Sequence, residues 1–430
     1  MFTVRSPHIH RLAIAPLAAL AIAVGVTSCS SNPTQKASPT IASSVAWSSP
    51  GPSTVGSFYD PPADMKPAPQ GTLIREQVVT GVPGVPSEAK LWRVLYHSRT
   101  IAGADIAVSG YVVIPTSAAP SGGRPIITWA HGTTGVARIC APSLFSNASD
   151  ASGIYLAPDL TQYIQSGYIV AATDYQGLGG PTVHPYLVGQ SEGQNVLDAA
   201  LAAGHLPGAS ASNKVIIVGH SQGGHSALFA GQLAPQYTPS LNVLGTVAIA
   251  PLTEVATALP LALQMGANES ALLVSAAYAW SNTYSDLPMN SIFDSSAIPT
   301  IDKLETTTCE NQVSKGLAKL PPNKILLTSF ASNSALVKHL AENSPGSVHT
   351  QSPILILQGA ADTTIPDILA EMFEKNQCPA VNDNMALRLY PGATHGTVLK
   401  ASSSDMLSWI SDRFAGTPAA TGCSAITVTP

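Results

Sequence analysis

A serine flanked by glycines, in the sequence Gly219-His220-Ser221-Gln222-Gly223, is the feature of the chain best suited to chemistry. The β-branched residues 214–218 precede it and residues 226–233 can continue as a helix, which predicts a strand-to-helix turn at Ser221. Such a sharp turn strains the serine backbone, and glycines allow neighbouring chain to pass closely because they lack a β-carbon. The pattern predicts a nucleophilic serine. The alternative is a glycine-rich turn with an incidental serine, and partner residues elsewhere in the chain decide between the two.

Two later residues could complete the chemistry of a nucleophilic serine. A serine hydroxyl needs a base that removes its proton and an acid that orients the base. Asp362 ends the turn Gly-Ala-Ala-Asp after one strand-like run, and His395 lies in a glycine-containing loop after the next run. The order Ser, Asp, His is the one expected of α/β-hydrolases. We therefore expect Ser221, His395 and Asp362 to act as nucleophile, base and acid.

Each partner of the serine also has a purely structural interpretation. Asp362 could form a turn or cap a helix, and His395 could be a loop histidine with ordinary hydrogen bonds. Asp367 is a rival acid, although its position is more typical of a helix cap. The occurrence of an acid and a base after successive strands favours the catalytic interpretation.

Acyl chemistry at a serine also requires two hydrogen-bond donors for the oxyanion that develops. One is expected to be the backbone amide of Gln222, directly after the nucleophile. The other is expected in the earlier loop His-Gly-Thr-Thr-Gly, where we favour Thr133 and keep Gly132 and Thr134 as alternatives. The histidine of that loop, His131, is expected to pack and form hydrogen bonds rather than to transfer protons.

These residues can meet only if the chain folds as alternating strands and helices. Apolar or alternating runs predict strands at 91–96, 106–114, 125–130, 168–173, 214–218, 241–250, 353–357 and 385–390. Helical patterns occupy residues 156–166, 190–203, 226–233, 367–375 and 402–414. This order predicts an α/β fold with a mostly parallel, doubly wound sheet, and the first two strands could form an antiparallel edge. Loops at the carboxyl ends of parallel strands converge, which would bring the expected site together.

A long segment without strand patterns interrupts this alternation. Between residues 251 and 349 the chain shows short helical patterns, such as 271–280 and 334–342. We expect an inserted helical cap at 251–349, called the cap below. It would divide an α/β-hydrolase core into residues 70–250 and 350–415, with a C-terminal tail at 416–430. Apolar helices suit a lipid-facing entrance, but such helices are as often simply buried.

The first residues have the pattern of a secretion signal. Arg5 and Arg11 precede the apolar residues 12–26, a run too short to serve well as a permanent membrane anchor. We expect residues 1–28 to be a signal peptide that is removed, so that the protein is exported to the extracellular space or the cell-envelope surface.

The signal ends in a sequence that resembles a bacterial lipobox, Val26-Thr27-Ser28-Cys29. This resemblance implies that Cys29 is lipidated and associates the protein with a membrane. In the alternative, the protein is secreted in the ordinary way and Cys29 is incidental. Residues 29–69 are rich in Ser, Pro, Thr and Ala, which predicts a disordered tether.

Composition excludes two other classes of function. Charged residues are only 10% of the chain and the net charge is -5, so no basic surface for nucleic acid is expected. Apart from Cys29 the cysteines form an even set, as in exported proteins with disulfides, and three pairings are possible for Cys140, Cys309, Cys378 and Cys423. None has C-x-x-C spacing, so neither a metal site nor a redox site is predicted.

Several separate motifs in the same order resemble the secretory lipase family of α/β-hydrolases, the lipase A type. The resemblance extends from about residue 70 to 414 and rests on these segments: His131-Gly132-Thr133-Thr134-Gly135, Cys140-Ala141-Pro142-Ser143, Thr173-Asp174-Tyr175-Gln176-Gly177-Leu178-Gly179, His184-Pro185-Tyr186, Gly189-Gln190-Ser191 and Gly219-His220-Ser221-Gln222-Gly223-Gly224.

The resemblance implies secreted hydrolysis of carboxylic esters, with acylglycerols or shorter acyl esters as substrates, no cofactor and a helical cap over the site. The positions of Ser221, Asp362 and His395 match the triad of the family. The family also implies two disulfides, Cys140 with Cys309 and Cys378 with Cys423. A lipid anchor would be a departure from freely secreted members.

Two competing functions remain open at this point. An acyltransferase or a peptidase could use the same scaffold, because a triad does not determine which acceptor takes the acyl group. A surface-binding protein could also retain the fold without activity, although an intact set of triad and oxyanion residues argues against this.

Overall fold

The computed structural model describes residues 44–46, 54–145, 156–258, 267–321, 324–327 and 332–429. The expected signal peptide, Cys29 and the first part of the expected tether lie outside the described residues.

A single sheet of eleven strands organises the described part of the chain. Its order is β1-β2-β3-β4-β6-β5-β7-β8-β9-β10-β11. The pairs β2–β3, β3–β4 and β4–β6 are antiparallel, and all other pairs are parallel. The strands are β1 (Ser44–Ala46), β2 (Leu73–Thr80), β3 (Ala89–Arg99), β4 (Asp105–Pro115), β5 (Arg124–Ala130), β6 (Ile169–Thr173), β7 (Ala211–His220), β8 (Asn242–Ile249), β9 (Ile354–Gly359), β10 (Met385–Tyr390) and β11 (Cys423–Thr427). The prediction of a mostly parallel, doubly wound sheet is confirmed.

Helices cover both faces of this sheet. Those whose bounds lie in the described part are α1 (Leu160–Gln165), α2 (Gly189–Gly204), α3 (Gln222–Tyr237), α4 (Ala267–Thr283), α5 (Ile298–Thr307), α6 (Glu310–Leu317), α7 (Ser334–Glu342), α8 (Asp367–Val381), α9 (Val398–Ala401) and α10 (Ser403–Phe414). Helices α2 and α3 share an apolar cluster with Ile217 of β7, whereas α1 and α10 share another with Ile216. Successive strand residues point to opposite faces, so the continuous apolar run of β7 is explained by burial on both sides.

The expected cap lies between β8 and β9 and contains helices α4 to α7. Among its described residues, strand pairing is limited to an isolated bridge between Phe293 and Leu326. The cap has its own apolar cluster, with Trp280 fully buried, and this cluster includes Tyr186 and Ile365 from the core. The cap therefore packs onto core loops through a shared apolar interface.

Both disulfides implied by the family resemblance are present. Cys140 in the core is bonded to Cys309 in the cap, and Cys378 of α8 is bonded to Cys423 of β11. In the described part of the chain, none of the helices combines the length and apolar character needed to cross a membrane.

The structure corrects three expectations about the ends and edges of the sheet. The expected tether at 29–69 is not disordered throughout, because β1 pairs with β2 and Tyr59 is only 2% exposed. The expected tail at 416–430 contributes β11, which pairs with β10. Strands β3 and β4 are antiparallel as expected, but β2 lies outside them, so they are not the edge. In the first two cases a partner distant in the chain provides the pairing or burial, whereas β2 pairs with the next strand along the chain.

The cap contains a buried carboxyl group that should make stability depend on pH. Glu305 of α5 is fully buried, Oε1 accepts a hydrogen bond from Ser275 Oγ at 2.7 Å, and Oε2 has no partner among the described residues. Burial raises the pKa of Glu305 from 4.5 to about 8. The folded state therefore binds more protons than the unfolded state between these values, and stability falls as pH rises from about 4.5 to 8.

Replacing Glu305 by glutamine should flatten this pH dependence. The amide oxygen can still accept from Ser275, but no charge forms at high pH, so Glu305→Gln should raise the melting temperature at pH 8.5 by about 2 to 5 °C. At pH 5 the variant should match the wild type. Thermal unfolding at both pH values measures the effect, with Glu88→Gln at an exposed position as control. An equal change at both pH values would contradict the assignment to ionisation.

Candidate active site

Ser221 is the single residue between β7 and α3, at the turn that the sequence predicts. Its φ of 58° and ψ of -120° are strained for a residue with a side chain, and its N–H donates to the carbonyl of Ile249 in β8 at 2.9 Å. A β-carbon at Gly223 would overlap the carbonyl oxygen of Ala130 at the end of β5, and one at Gly219 would overlap that of Gly223. Both glycines are therefore required by the close crossing of chain at the turn.

The side chains of Ser221, His395 and Asp362 form a continuous line of hydrogen bonds. His395 Nε2 lies 2.9 Å from Ser221 Oγ, and His395 Nδ1 lies 2.7 Å from Asp362 Oδ2. An ionised carboxylate can only accept, so Nδ1 carries the proton and a neutral His395 accepts the serine hydroxyl at Nε2. This arrangement can remove the proton from the hydroxyl during attack on a carbonyl.

Asp362 is buried and held by several donors. Its Oδ1 accepts from the backbone N–H groups of Thr364 and Ile365, both at 2.9 Å, and Gln358 Nε2 donates to Oδ2 at 3.2 Å. The rival acid Asp367 is the first residue of α8, as expected of a residue near a helix start, and has no described contact with His395. Of the two candidate acids, the structure brings Asp362 to His395.

A second histidine supports the loop that carries His395, and sequence reasoning missed it. His220 Nε2 donates to the carbonyl of His395 at 2.9 Å, and the two rings lie 4.8 Å apart. Burial lowers the pKa of His220 to about 3, and the proximity of a second ionisable ring, that of His395, lowers it further. His220 therefore fixes the loop as a neutral ring. The only feature of the sequence that could have indicated this role is the position of His220 directly before Ser221.

The loop expected to supply an oxyanion donor lies against the nucleophile. A β-carbon at Gly132 would lie 3.6 Å from Ser221 Cβ, and Thr133 Oγ1 is 2.8 Å from Tyr186 Oη. Gln222 begins α3, whose N-terminus carries a partial positive charge. His131 is buried with Nδ1 2.6 Å from the Gly132 carbonyl oxygen, and burial lowers its pKa to about 4.

A buried glutamate behind the turn was also missed from the sequence. Glu192 of α2 accepts hydrogen bonds from the side chains of Gln222 at 2.7 Å and Ser226 at 2.6 Å. Burial by itself would raise the pKa of Glu192, but hydrogen bonds from His184 and His225 outweigh it and hold the pKa at about 2. Glu192 is thus a buried charge that anchors the first turn of α3. The sequence did not single it out, because α2 also contains Asp198 and several amide and hydroxyl side chains.

Comparisons with known proteins agree with this geometry. A model of the family described as Secretory lipase matches residues 149–422. Lipase 4 of Candida albicans is 26% identical over 395 residues, which cover 85% of this chain and 82% of that protein. A Mycobacterium tuberculosis protein described as a probable inactive lipase is 26% identical over 206 residues, which cover 46% of this chain and 45% of that protein.

Similarity of fold extends to solved structures. Candida antarctica lipase A in its closed state matches with a TM-score of 0.74 and 20% identity, over 87% of this chain and 89% of that chain. The family match covers more than half of the chain and the fold agrees with it, so the chain belongs to the secretory lipase family of α/β-hydrolase enzymes.

Proposed function

We propose that this protein is an exported serine hydrolase that cleaves carboxylic esters, either acylglycerols or shorter acyl esters. The observation that carries the proposal is the hydrogen-bonded line from Ser221 through His395 to Asp362. Family membership alone is insufficient, since one relative is described as a probable inactive lipase. The line of contacts supplies the nucleophile, base and orienting acid that ester cleavage requires.

In the first half of the proposed reaction, Ser221 Oγ attacks the ester carbonyl while His395 Nε2 takes its proton. Asp362 stabilises the imidazolium that forms, and the backbone amides of Gln222 and Thr133 hold the oxyanion. His395 then protonates the leaving alcohol, which leaves an acyl group on Ser221. In the second half, His395 activates a water molecule that releases the acid by the same steps.

The environment of the turn favours this chemistry. The N-terminus of α3 points its amide groups towards the region where negative charge develops, which favours the oxyanion. The strained backbone of Ser221 aims the hydroxyl away from the sheet. Glu192 holds the side chain of Gln222, so the amide of this residue is fixed before the substrate arrives.

We also propose that the cap, residues 251–349, covers this site. The N–H of Glu310 in the cap donates to the carbonyl of Thr134 at 3.0 Å, and the Cys140–Cys309 disulfide lies beside this contact. Trp280 Nε1 donates to the carbonyl of Tyr186 at 3.0 Å. The cap thus contacts two core loops that adjoin the serine.

Export and lipid anchoring are proposed from the first residues of the chain. Arg5, Arg11 and the apolar run to Val26 form the signal, and Cys29 would become a lipidated N-terminus. Mass spectrometry of the mature N-terminus would distinguish a lipidated Cys29 from an unmodified one.

Ester hydrolysis and labelling by an active-site probe test the proposal together. Protein lacking residues 1–29 should hydrolyse nitrophenyl butyrate, and a fluorophosphonate should label Ser221, because an activated serine is nucleophilic. A series of esters from acetate to oleate would then define the acyl chain preference. Failure of both hydrolysis and labelling would support an inactive surface-binding protein instead.

Acyl transfer or peptide cleavage on the same scaffold is the competing activity. Product analysis with an added alcohol would separate acyl transfer from hydrolysis, and a peptide substrate would reveal a peptidase.

A further inference from the structure

Glu310 of the cap is fixed against the loop that is proposed to hold the oxyanion. It directly follows Cys309, which is bonded to Cys140 of the core. Its N–H donates to the carbonyl of Thr134 at 3.0 Å, and a β-carbon at Gly135 would lie only 3.2 Å from Glu310 N. A covalent bond, a hydrogen bond and direct backbone contact therefore all hold Glu310 beside this loop.

The carboxyl group of Glu310 lies in the neighbourhood of the triad. It interacts electrostatically with the imidazole of His395 and with the hydroxyl of Tyr186. That hydroxyl is 2.8 Å from Thr133 Oγ1. The side chain of Glu310 is half-buried, and its carboxyl group has no hydrogen bond or ion pair with another described side chain. No described side chain therefore neutralises the charge that forms on Glu310.

Glu310 is one of three buried or half-buried acids around the site whose charge changes near neutral pH, together with Asp174 and Glu305. Burial raises the pKa of Glu310 to about 7, and His395 opposes this rise. Other titratable or charged groups on the neighbouring elements include His131, Arg138, Asp174, His184, Tyr186, Glu192, Glu305, Lys315, Asp362 and His395. Burial lowers the pKa of His131 to about 4 and raises that of Asp174 to about 6, and Arg138 is paired with Asp60. Glu192 is already ionised at this pH because its pKa is about 2, and Glu305 ionises later because its pKa is about 8. Lys315 is exposed at the far end of α6.

We propose that Glu310 determines specificity as an anionic subsite at the mouth of the active site, where it favours esters that carry a cationic group. This inference rests on the proposed ester hydrolysis and names a substrate class for it. An ester bound at Ser221 lies beside His395 and beside the loop that the backbone of Glu310 borders, so a positive charge on its alcohol part is attracted and a negative charge is repelled. Coulomb attraction at several ångströms near a protein surface corresponds to about a 5-fold preference.

Two esters that differ only in charge test the proposal. Butyrylcholine is cationic, and 3,3-dimethylbutyl butyrate has nearly the same shape without the charge. The ratio of their kcat/KM values cancels any pH effect that is common to both esters, including a change in the fraction of active or folded enzyme. In the purified full-length protein this ratio should rise about 5-fold from pH 5.5 to 8.5 as Glu310 ionises, and 0.5 M salt should reduce the rise.

Two variants assign the effect to one carboxyl group. Glu310→Gln should give a low ratio that does not change with pH. Glu305→Gln, on the neighbouring helix, should keep the rise of the wild type. A flat ratio in the wild type, or a rise that persists in Glu310→Gln, would overturn the inference while leaving ester hydrolysis intact. The wild-type measurement decides the matter even where Glu310→Gln does not fold. Absence of hydrolysis of both esters, together with no fluorophosphonate label on Ser221, would overturn the proposed function and this inference with it.

Discussion

Replacing Ser221 by alanine is expected to reduce kcat for nitrophenyl butyrate by about 10⁴- to 10⁶-fold. The variant loses the oxygen that bonds to the acyl group, and His395 loses the hydroxyl that lies 2.9 Å from its Nε2. Alanine can occupy the position at a modest cost because the strained φ of 58° is already imposed by the surrounding chain. Initial rates with the purified variant measure the loss.

The matched control for this change is Ser240→Ala, at an exposed loop position before β8. It should retain the rate of the wild type within about 2-fold, since surface substitutions away from special features are nearly neutral. Circular dichroism and melting temperature should be similar in all three proteins. Wild-type activity in a folded Ser221→Ala enzyme would assign the nucleophile to another residue.

The second large effect is expected for Asp362→Asn, with a loss of about 10⁴-fold in kcat. Asparagine preserves the shape, but its amide can donate to Nδ1 of His395 and so favour the tautomer with the proton on Nε2. That tautomer cannot accept the proton of Ser221, and the positive charge that forms on His395 loses its partner. Steady-state kinetics with nitrophenyl butyrate measure the loss.

Asp367→Asn is the control that separates the two candidate acids. Asp367 lies in the first turn of α8, where a carboxylate interacts favourably with the helix dipole. Its replacement should lower stability slightly and leave kcat within about 2-fold of the wild type. A larger loss of activity in Asp367→Asn than in Asp362→Asn would reverse the assignment of the acid.

The sequence predicted those elements whose hydrophobic pattern and flanking residues lie next to each other in the chain. Strand β10 at Met385–Tyr390 and helix α7 at Ser334–Glu342 have the bounds that the pattern predicts. The turn at Ser221 was predictable because the strand, the glycines and the helix are consecutive in the chain. Asp362 and His395 were predictable because each follows a strand of the parallel sheet.

The elements that the sequence did not predict depend on distant contacts. Strand β11 forms beside β10 and is held by the disulfide from Cys423 to Cys378. Both partners lie outside residues 416–430, so the pattern of these residues alone does not predict a strand. Tyr59 is buried because its ring packs in an apolar cluster with residues far along the chain, and its hydroxyl lies 2.9 Å from Ser143 Oγ. Hydrophobic periodicity shows only which side of an element is apolar, so it does not predict which distant segments pack against that side.

The same limitation applies to the acids near the site. Glu192 lies in a helix that was predicted, but its role depends on Gln222 and two histidines from other segments. Glu310 becomes a neighbour of His395 only because the cap folds back onto the core. Neither could be recognised before the chain was folded.

The disulfide from Cys140 to Cys309 also restricts how the cap can move. The cap is joined to the core by its two chain ends, near residues 251 and 349, and by this bridge, which keeps the two Cα atoms 5.6 Å apart. A rigid body can swing about an axis through two attachment points, but a third point off that axis blocks the swing. In the proposed arrangement, with the cap over the site, widening of the entrance requires rearrangement of segments within the cap, while the end next to Glu310 stays fixed.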